Sequence, residues 1–206
     1  LVIELVPEGD HLRRGAALAL LGLTAWTSGD LETAHRMFAE GMSGVQQAGN
    51  FSDVIGGTIA LADIRISQGR LRQAMRTYER GLLLAEEHGE TLLRRTIDIH
   101  TGISGLYLEY NNLHAAARHL ERSQELRERT GKLHNNYRWN IAMAQLSEAK
   151  GDLKESLSFL LKAERLFKSD FFPNVRPASA WKARVWIKQG NVNDALDWAR
   201  EMTLSV

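Results

Sequence analysis

Cysteine is absent from the 206 residues. Disulfides, thiolate zinc sites and cysteine nucleophiles are excluded together, and the composition fits a cytoplasmic protein. Proline is scarce, with Pro7 near the start and Pro173 and Pro177 four residues apart. Long apolar runs are missing too: the longest, Ala16 to Leu23, falls well short of the ~20 residues a membrane span needs, so no membrane association is expected. Charge of one sign is not in excess. Lys+Arg number 26 and Asp+Glu 25, for a net charge of +1, and neither sign forms a long block, so strong nucleic-acid binding by this segment is not indicated. A secretory signal pattern is not visible, and Leu1 in place of an initiating Met suggests that the chain begins inside a longer polypeptide or follows processing.

Reactive constellations are equally thin. Gly131-Lys132 is followed by Leu133, with no upstream glycine at the spacing of a phosphate loop. No serine or lysine sits in a nucleophile motif. Asp98, Glu109 and Glu148 are carboxylates of the kind that cleave glycosides in pairs, yet pairs are unavoidable among 25 acids. His114 and His119 are five residues apart and His100 is alone, whereas metal pairs on a helix prefer three or four. The expectation is a segment that is not an enzyme, with no metal and no cofactor of its own.

What the chain does have is a period. Gly29-Asp30-Leu31 leading to Ala34 returns as Gly69-Arg70-Leu71 to Ala74, Asn111-Asn112-Leu113 to Ala116, Gly151-Asp152-Leu153 to Ser156 and Gly190-Asn191-Val192 to Ala195, at steps of 40, 42, 40 and 39 residues. A second register, Gly49, Gly89 and Gly131, marks the other turn of each unit. Two turns per unit mean two helices per unit, and a pair too thin to bury its own apolar face must stack on its neighbour. The fold expected is all-α, a right-handed superhelix (an alpha-alpha solenoid) of about five helix pairs with a period of about 40 residues. It comprises a lead-in over 1–10 and a single domain over 11–206, with repeats about 11–50, 51–90, 91–131, 132–172 and 173–206. The spacing predicts helices over about 11–27, 31–48, 52–68, 71–88, 91–109, 113–130, 133–149, 153–169, 176–189 and 192–203. Ser169 to Pro177 breaks the pattern and reads as a loop and a hinge, with Phe171 and Phe172 tucked between the fourth and fifth pairs.

Twelve residues before each repeat alanine (or Ser156) stands a small residue: Gly22, Ala62, Ser104, Ala144 and Ala183. Four residues after it stands Phe38, Tyr78, Leu120, Leu160 and then Ala199. Small against large at this spacing is what two closely crossing helices require. Ala199, lacking the bulk, marks a frayed or capping unit, or one whose partner lies beyond Val206.

The pattern of small residue, alanine and aromatic is that of tetratricopeptide (TPR) repeats, lengthened from 34 residues. Leu20-Leu21-Gly22-Leu23, Trp26 through Ala34, Ala48-Gly49-Asn50, Ile64 through Leu71, Leu106 through Leu113, Ala180 through Gly190 and Trp198-Ala199-Arg200 together resemble the MalT-like TPR superhelical domain of the large ATP-binding LuxR-class transcriptional activators. The resemblance implies a bacterial regulatory domain for transcription regulation and signal sensing, which receives a small-molecule inducer, an oligosaccharide among the candidates, or a regulatory protein or peptide. It implies ATP bound in a separate upstream domain, DNA contacted only through a separate C-terminal helix-turn-helix, and self-association of the full-length protein. The alternative is a free-standing TPR adaptor that docks a peptide or helix in its concave groove.

The surface on which a ligand or partner is expected is the hollow lined by the first helix of each pair. Its candidates are Trp26, Asp63, Asp98, Thr101, Glu109, Arg138, Gln145, Glu148, Arg184 and Lys188. The alternative for each is an ordinary solvated group or a bridge between repeats. Among the indoles, Trp26 and Trp139 are expected to be exposed, while Trp186 and Trp198 are expected to pack the last two helices together and Trp181 is another flat surface suited to a sugar or a cation.

Overall fold

The computed structural model describes residues 6–7, 9–130, 137–167 and 177–204. Among them the chain is all-helical: α1 (His11–Thr27), α2 (Leu31–Gln47), α3 (Phe51–Ser67), α4 (Leu71–Glu87), α5 (Glu90–Leu93), α6 (Ile97–Glu109), α7 (Leu113–Thr130), α8 (Tyr137–Ala149), α9 (Leu153–Leu166), α10 (Ala178–Gln189) and α11 (Val192–Glu201). The predicted helices and the observed ones agree within a few residues at most ends. The proline loop and the tuck expected of Phe171 and Phe172 lie outside the described residues, as does Gly131.

The turn register holds in full where it can be seen. Gly29, Gly69, Gly151 and Gly190 take φ between +73° and +87°, and Asn111 joins them at +55°, because the chain reverses through the left-handed region and only Gly or Asn enters it cheaply. The residue that follows each one donates its backbone N–H to the carbonyl five positions back: Asp30 to Ala25, Arg70 to Arg65, Asn112 to Tyr107, Asp152 to Ser147 and Asn191 to Trp186, at 2.8–3.0 Å. That bond ties off a carbonyl the helix end leaves open. Asp30, Asn112 and Asp152 then accept from the N–H of Thr33, Ala115 and Glu155 at 3.1, 3.0 and 2.8 Å, so three of these turns also cap the next helix. The Asp30 carboxyl is held below its ordinary pKa chiefly by these bonds from Thr33.

The small and large positions meet as the spacing requires. Ala34, Ala74, Ala116 and Ser156 are buried, and so are Gly22, Ala62, Ser104, Ala144 and Ala183. A Cβ added to Gly22 would lie 2.8 Å from the Phe38 backbone nitrogen and 2.9 Å from the Ala34 carbonyl, which places the first helix directly over both members of the motif on the second. Closest of all is the crossing of α1 and α2. A Cβ on Gly41 would lie 2.6 Å from the Gly15 carbonyl oxygen, and one on Gly15 would lie 2.6 Å from that of Gly41. There the two backbones touch with no side chain between them.

One predicted helix is corrected. The run 91–109 is not continuous: α5 ends at Leu93, a 3-10 turn covers Arg94–Thr96, and α6 begins at Ile97. Thr96 is buried with its hydroxyl donating to the Leu93 carbonyl at 2.6 Å. A threonine bonded three residues back draws the backbone into the tighter winding.

The residues fall into two compact units, the first ending at Ile103 and the second starting at Ser104, a division that falls inside α6. In the first, Ala19, Trp26, Ala34, Phe38, Ala60 and Ile64 form a core spanning α1, α2 and α3. In the second, Ala116, Leu120, Ala142 and Leu146 join α7 to α8, while Ala144, Leu160 and Val185 join α8, α9 and α10. No helix among the described residues is long and apolar enough to cross a membrane.

Candidate functional site

The ten residues predicted to line the hollow have different fates. Glu109, Arg184 and Lys188 are exposed, and Asp63, Asp98, Arg138 and Gln145 are half-buried. Trp26 is a correction. Expected at the surface, it is only 4% exposed, and its indole N–H is buried with no acceptor among the described residues. The reason is positional. Trp26 is the third residue before the turn, and Leu61 and Ile64 of the following pair pack against the cluster that contains it. Thr101 is likewise buried, its hydroxyl bonded to the Ile97 carbonyl at 3.1 Å. Asp63 accepts a hydrogen bond from the Tyr78 hydroxyl at 3.2 Å.

Three of the ten come together. Glu148 holds the same position as Trp26 in its own unit, three residues before the turn, and it too is covered by the next pair. Its carboxylate, 4% exposed, receives Arg184 Nε at 2.8 Å and Lys188 Nζ at 2.6 Å, while those cations are 55% and 46% exposed. One buried anion thus fixes the stems of two cations from consecutive turns of α10 and leaves net positive charge at the rim. Around it, Ser147 donates to Glu155 at 2.8 Å and Lys182 to Glu164 at 2.7 Å, and Arg184 also lies over the Trp181 ring at 5.1 Å. The indoles expected to pack, Trp186 and Trp198, are half-buried.

Trp139, the other indole expected at the surface, is half-buried and forms a wall shared by two recesses of the second unit. Its Nε1 donates to the Leu120 carbonyl at 3.3 Å, its edge meets Phe159 at a centroid separation of 6.0 Å, and the Arg127 guanidinium stands over its face at 5.3 Å. The first recess, of about 510 Å³, lies between α7, α8 and α9. Arg127, Lys162 and Arg165 supply its charge, and Trp139 and Phe159 supply its aromatic surface. Lys162 Nζ lies 5.1 Å over the Phe159 ring. The second recess, of about 460 Å³, has an apolar floor that includes Leu120, Met143 and Leu146, with Glu121, Glu125 and Glu128 along its rim. Two cavities of opposite charge therefore share one indole, and both volumes fall in the range used for small ligands, ~300–1,000 Å³.

The cationic recess was not found by reading the first helices alone, because Arg127, Phe159, Lys162 and Arg165 belong to second helices, α7 and α9. The signal was present as Phe159, Lys162 and Arg165 at steps of three, which puts an aromatic and two cations on one helical stripe. Histidines do not build a site: His119 lies against the Tyr107 ring at 5.5 Å, and burial, with the charge of Arg118, holds its pKa below the ordinary imidazole value. Among the described residues no three His, Asp or Glu side chains are grouped to hold a metal ion.

The MalT-like TPR region is the family whose sequence profile matches this chain, over residues 1–206. The chain belongs to that family. No curated protein sequence matches it at comparable significance. Among solved structures, this MalT-like TPR region is similar to the apo form of RapI, with 12% identity, TM-score 0.66, and coverage of 96% of this chain and 84% of that one. It is also similar to BtubC (BKLC) from P. vanneervenii, with 13% identity, TM-score 0.62, and coverage of 93% and 79%. A third is a putative kinesin light chain with TPR-like repeats from Podosopora anserina, at 13% identity, TM-score 0.57, and coverage of 94% of both chains. At these identities the likeness is one of fold: a TPR-like solenoid, the architecture of a helical-repeat interaction domain.

Proposed function

We propose that this MalT-like TPR region is the effector- or partner-binding segment of a bacterial, cytoplasmic, ATP-dependent regulator of the LuxR class, and that it carries no reaction of its own. The match to the family over residues 1–206 is the observation that supports this reading. In it, a ligand binds one of two arrangements of the helix pairs better than the other and so biases a neighbouring ATPase. A ligand at 100 times its dissociation constant that binds only one arrangement supplies ~2.7 kcal/mol of bias. Members of the predicted set that reach solvent, among them Glu109, Arg184 and Lys188, are assigned to partner contact, with Glu148 holding the last two in place.

The test is to read the parent gene for a few hundred codons on either side. A phosphate-loop motif upstream and a basic helix-turn-helix downstream are the expected result. Open reading with neither motif overturns the regulator assignment. The second reading, an adaptor that docks a peptide, draws its support from the apolar recess with the acidic rim beside α7, which suits a basic amphipathic helix. Thermal shift against short peptides, sugars and amino acids separates the two.

A further inference from the structure

We propose that the recess between α7, α8 and α9 is a binding site for a small organic anion with a flat ring. This rests on the reading of the chain as an effector-binding segment and names the chemistry of the effector. The charged groups lining the recess are Arg127, Lys162 and Arg165, all cations, with no carboxylate facing into it. A cationic ligand is therefore disfavoured there, and a neutral one leaves the positive field unanswered. Two of the cations already lie over aromatic faces, Arg127 over Trp139 and Lys162 over Phe159. The rings hold the ammonium and the guanidinium at a fixed height without neutralising them, because a cation–π contact adds no negative charge.

The aromatic surface supplies the second half of the argument. Trp139 and Phe159 meet edge to face at an interplanar angle of 85°, so one ring forms a wall and the other a floor, a corner into which a planar group fits against one face and one edge. Trp139 is held by its bond to the Leu120 carbonyl, and Asn140, buried beside it, adds a polar group to the same lining. Lys162 and Arg165 are exposed on α9 and free to swing onto an entering phosphate, carboxylate or sulfonate. The acidic rim of the neighbouring recess, Glu121, Glu125 and Glu128, lies beyond Trp139 and sets the direction in which the ligand enters: negative end toward α9, ring against the indole.

The experiment titrates the protein with adenosine monophosphate, with adenosine, with inorganic phosphate and with indole-3-acetate, following Trp139 by fluorescence in a chain whose other indoles are unchanged, and by calorimetry. At least one ring-bearing anion is expected to saturate and to bind about tenfold tighter than the neutral nucleoside or phosphate alone. Lys162→Gln combined with Arg165→Gln is expected to weaken it about tenfold, with circular dichroism unaltered because both side chains are exposed, and added salt is expected to weaken the parent more than the double variant. Trp139→Phe is expected to remove the fluorescence change. Equal affinity for adenosine and its monophosphate, an undiminished affinity in the double variant, or no saturation by either ring-bearing anion overturns the proposal. Any of these leaves the regulator reading standing, since that is decided by the flanking domains.

Discussion

Gly41→Ala is expected to destabilise the first unit while Gly56→Ala stabilises it, although the two changes are chemically identical. Both glycines lie inside helices, α2 and α3, and in each case alanine improves helix propensity by ~1 kcal/mol. What differs is the space. A Cβ on Gly56 meets nothing within 4 Å, whereas one on Gly41 lies 2.6 Å from the Gly15 carbonyl oxygen and 2.7 Å from the Ala19 backbone nitrogen, against an ordinary contact of 3.4–4 Å. Both obstructing atoms are backbone, so no rotamer change relieves them, and α1 must retreat from α2 by about 1 Å. Overpacking of this kind costs ~1–3 kcal/mol, and the rigidity of the obstruction puts Gly41 toward the upper end. Subtracting the propensity gain leaves a net loss of ~1–2 kcal/mol for Gly41→Ala, against a gain of ~0.5–1 kcal/mol for Gly56→Ala. Urea denaturation followed by far-UV circular dichroism reads both through the same transition, since both residues belong to the unit that ends at Ile103. A Gly41→Ala protein as stable as the parent would refute the backbone contact between α1 and α2.

Ala74, fully buried at the crossing of α3 and α4, is expected to lose ~1–3 kcal/mol when changed to Leu, and an unmoved denaturant midpoint would contradict the repeat register. Trp26→Ala is expected to cost ~3–5 kcal/mol, as a buried indole does, and Trp26→Phe much less because it removes an N–H with no acceptor; a Trp26→Ala chain of parental stability would return the indole to the surface. Glu148→Gln is expected to lower stability by ~1–2 kcal/mol, less than for a fully buried pair because Arg184 and Lys188 are free to turn to water, and a denaturation series at rising salt should show the difference persisting. His35 and His119 are held below the ordinary imidazole pKa of 6.5, in both cases mainly by burial and then by a neighbouring arginine, Arg65 or Arg118. The unfolded chain therefore takes up these protons first as pH falls below 6.5, so stability should decline from there toward the folded-state pKa values and then level off. Midpoints measured across that window for the parent and for His35→Gln with His119→Gln should converge at the acid end; parallel curves would remove the histidines from the account.

Much of this architecture was legible because it is local. A left-handed turn residue, a capping Asp or Asn and an alanine four or five positions on are decided by atoms within one turn of chain, and they reappear at Asp30, Asn112 and Asp152 with the same bonds. The break before α6 was not legible, since Thr96 looks like any helical threonine until its hydroxyl is seen on the Leu93 carbonyl. Trp26 was misplaced for a reason that Glu148 makes plain. On a first helix, the third residue before the turn looks outward within its own pair, and only the next pair decides whether it is covered, by Leu61 and Ile64 in one unit and by Arg184 and Lys188 in another. The cationic recess escaped because it depends on side chains from α7, α8 and α9 at once, and sequence periodicity shows only which residues share one helix.

Within each unit the longer-range hydrogen bonds join residues a single period apart. Gln68 reaches Leu31 and Arg70 reaches Glu32 across 37 and 38 residues, Arg184 reaches Glu148 across 36, and Ala178 reaches Tyr137 across 41. A chain wired only to its neighbours can be lengthened by duplicating a stretch of about 40 residues without disturbing the bonds already made, because each new copy brings both its own turns and the partners its predecessor needs. Gene duplication in register is then nearly silent for folding, while an insertion of ten or twenty residues is not. The spread of steps seen here, 39 to 42, is the record expected of copies that have since drifted only at the turns.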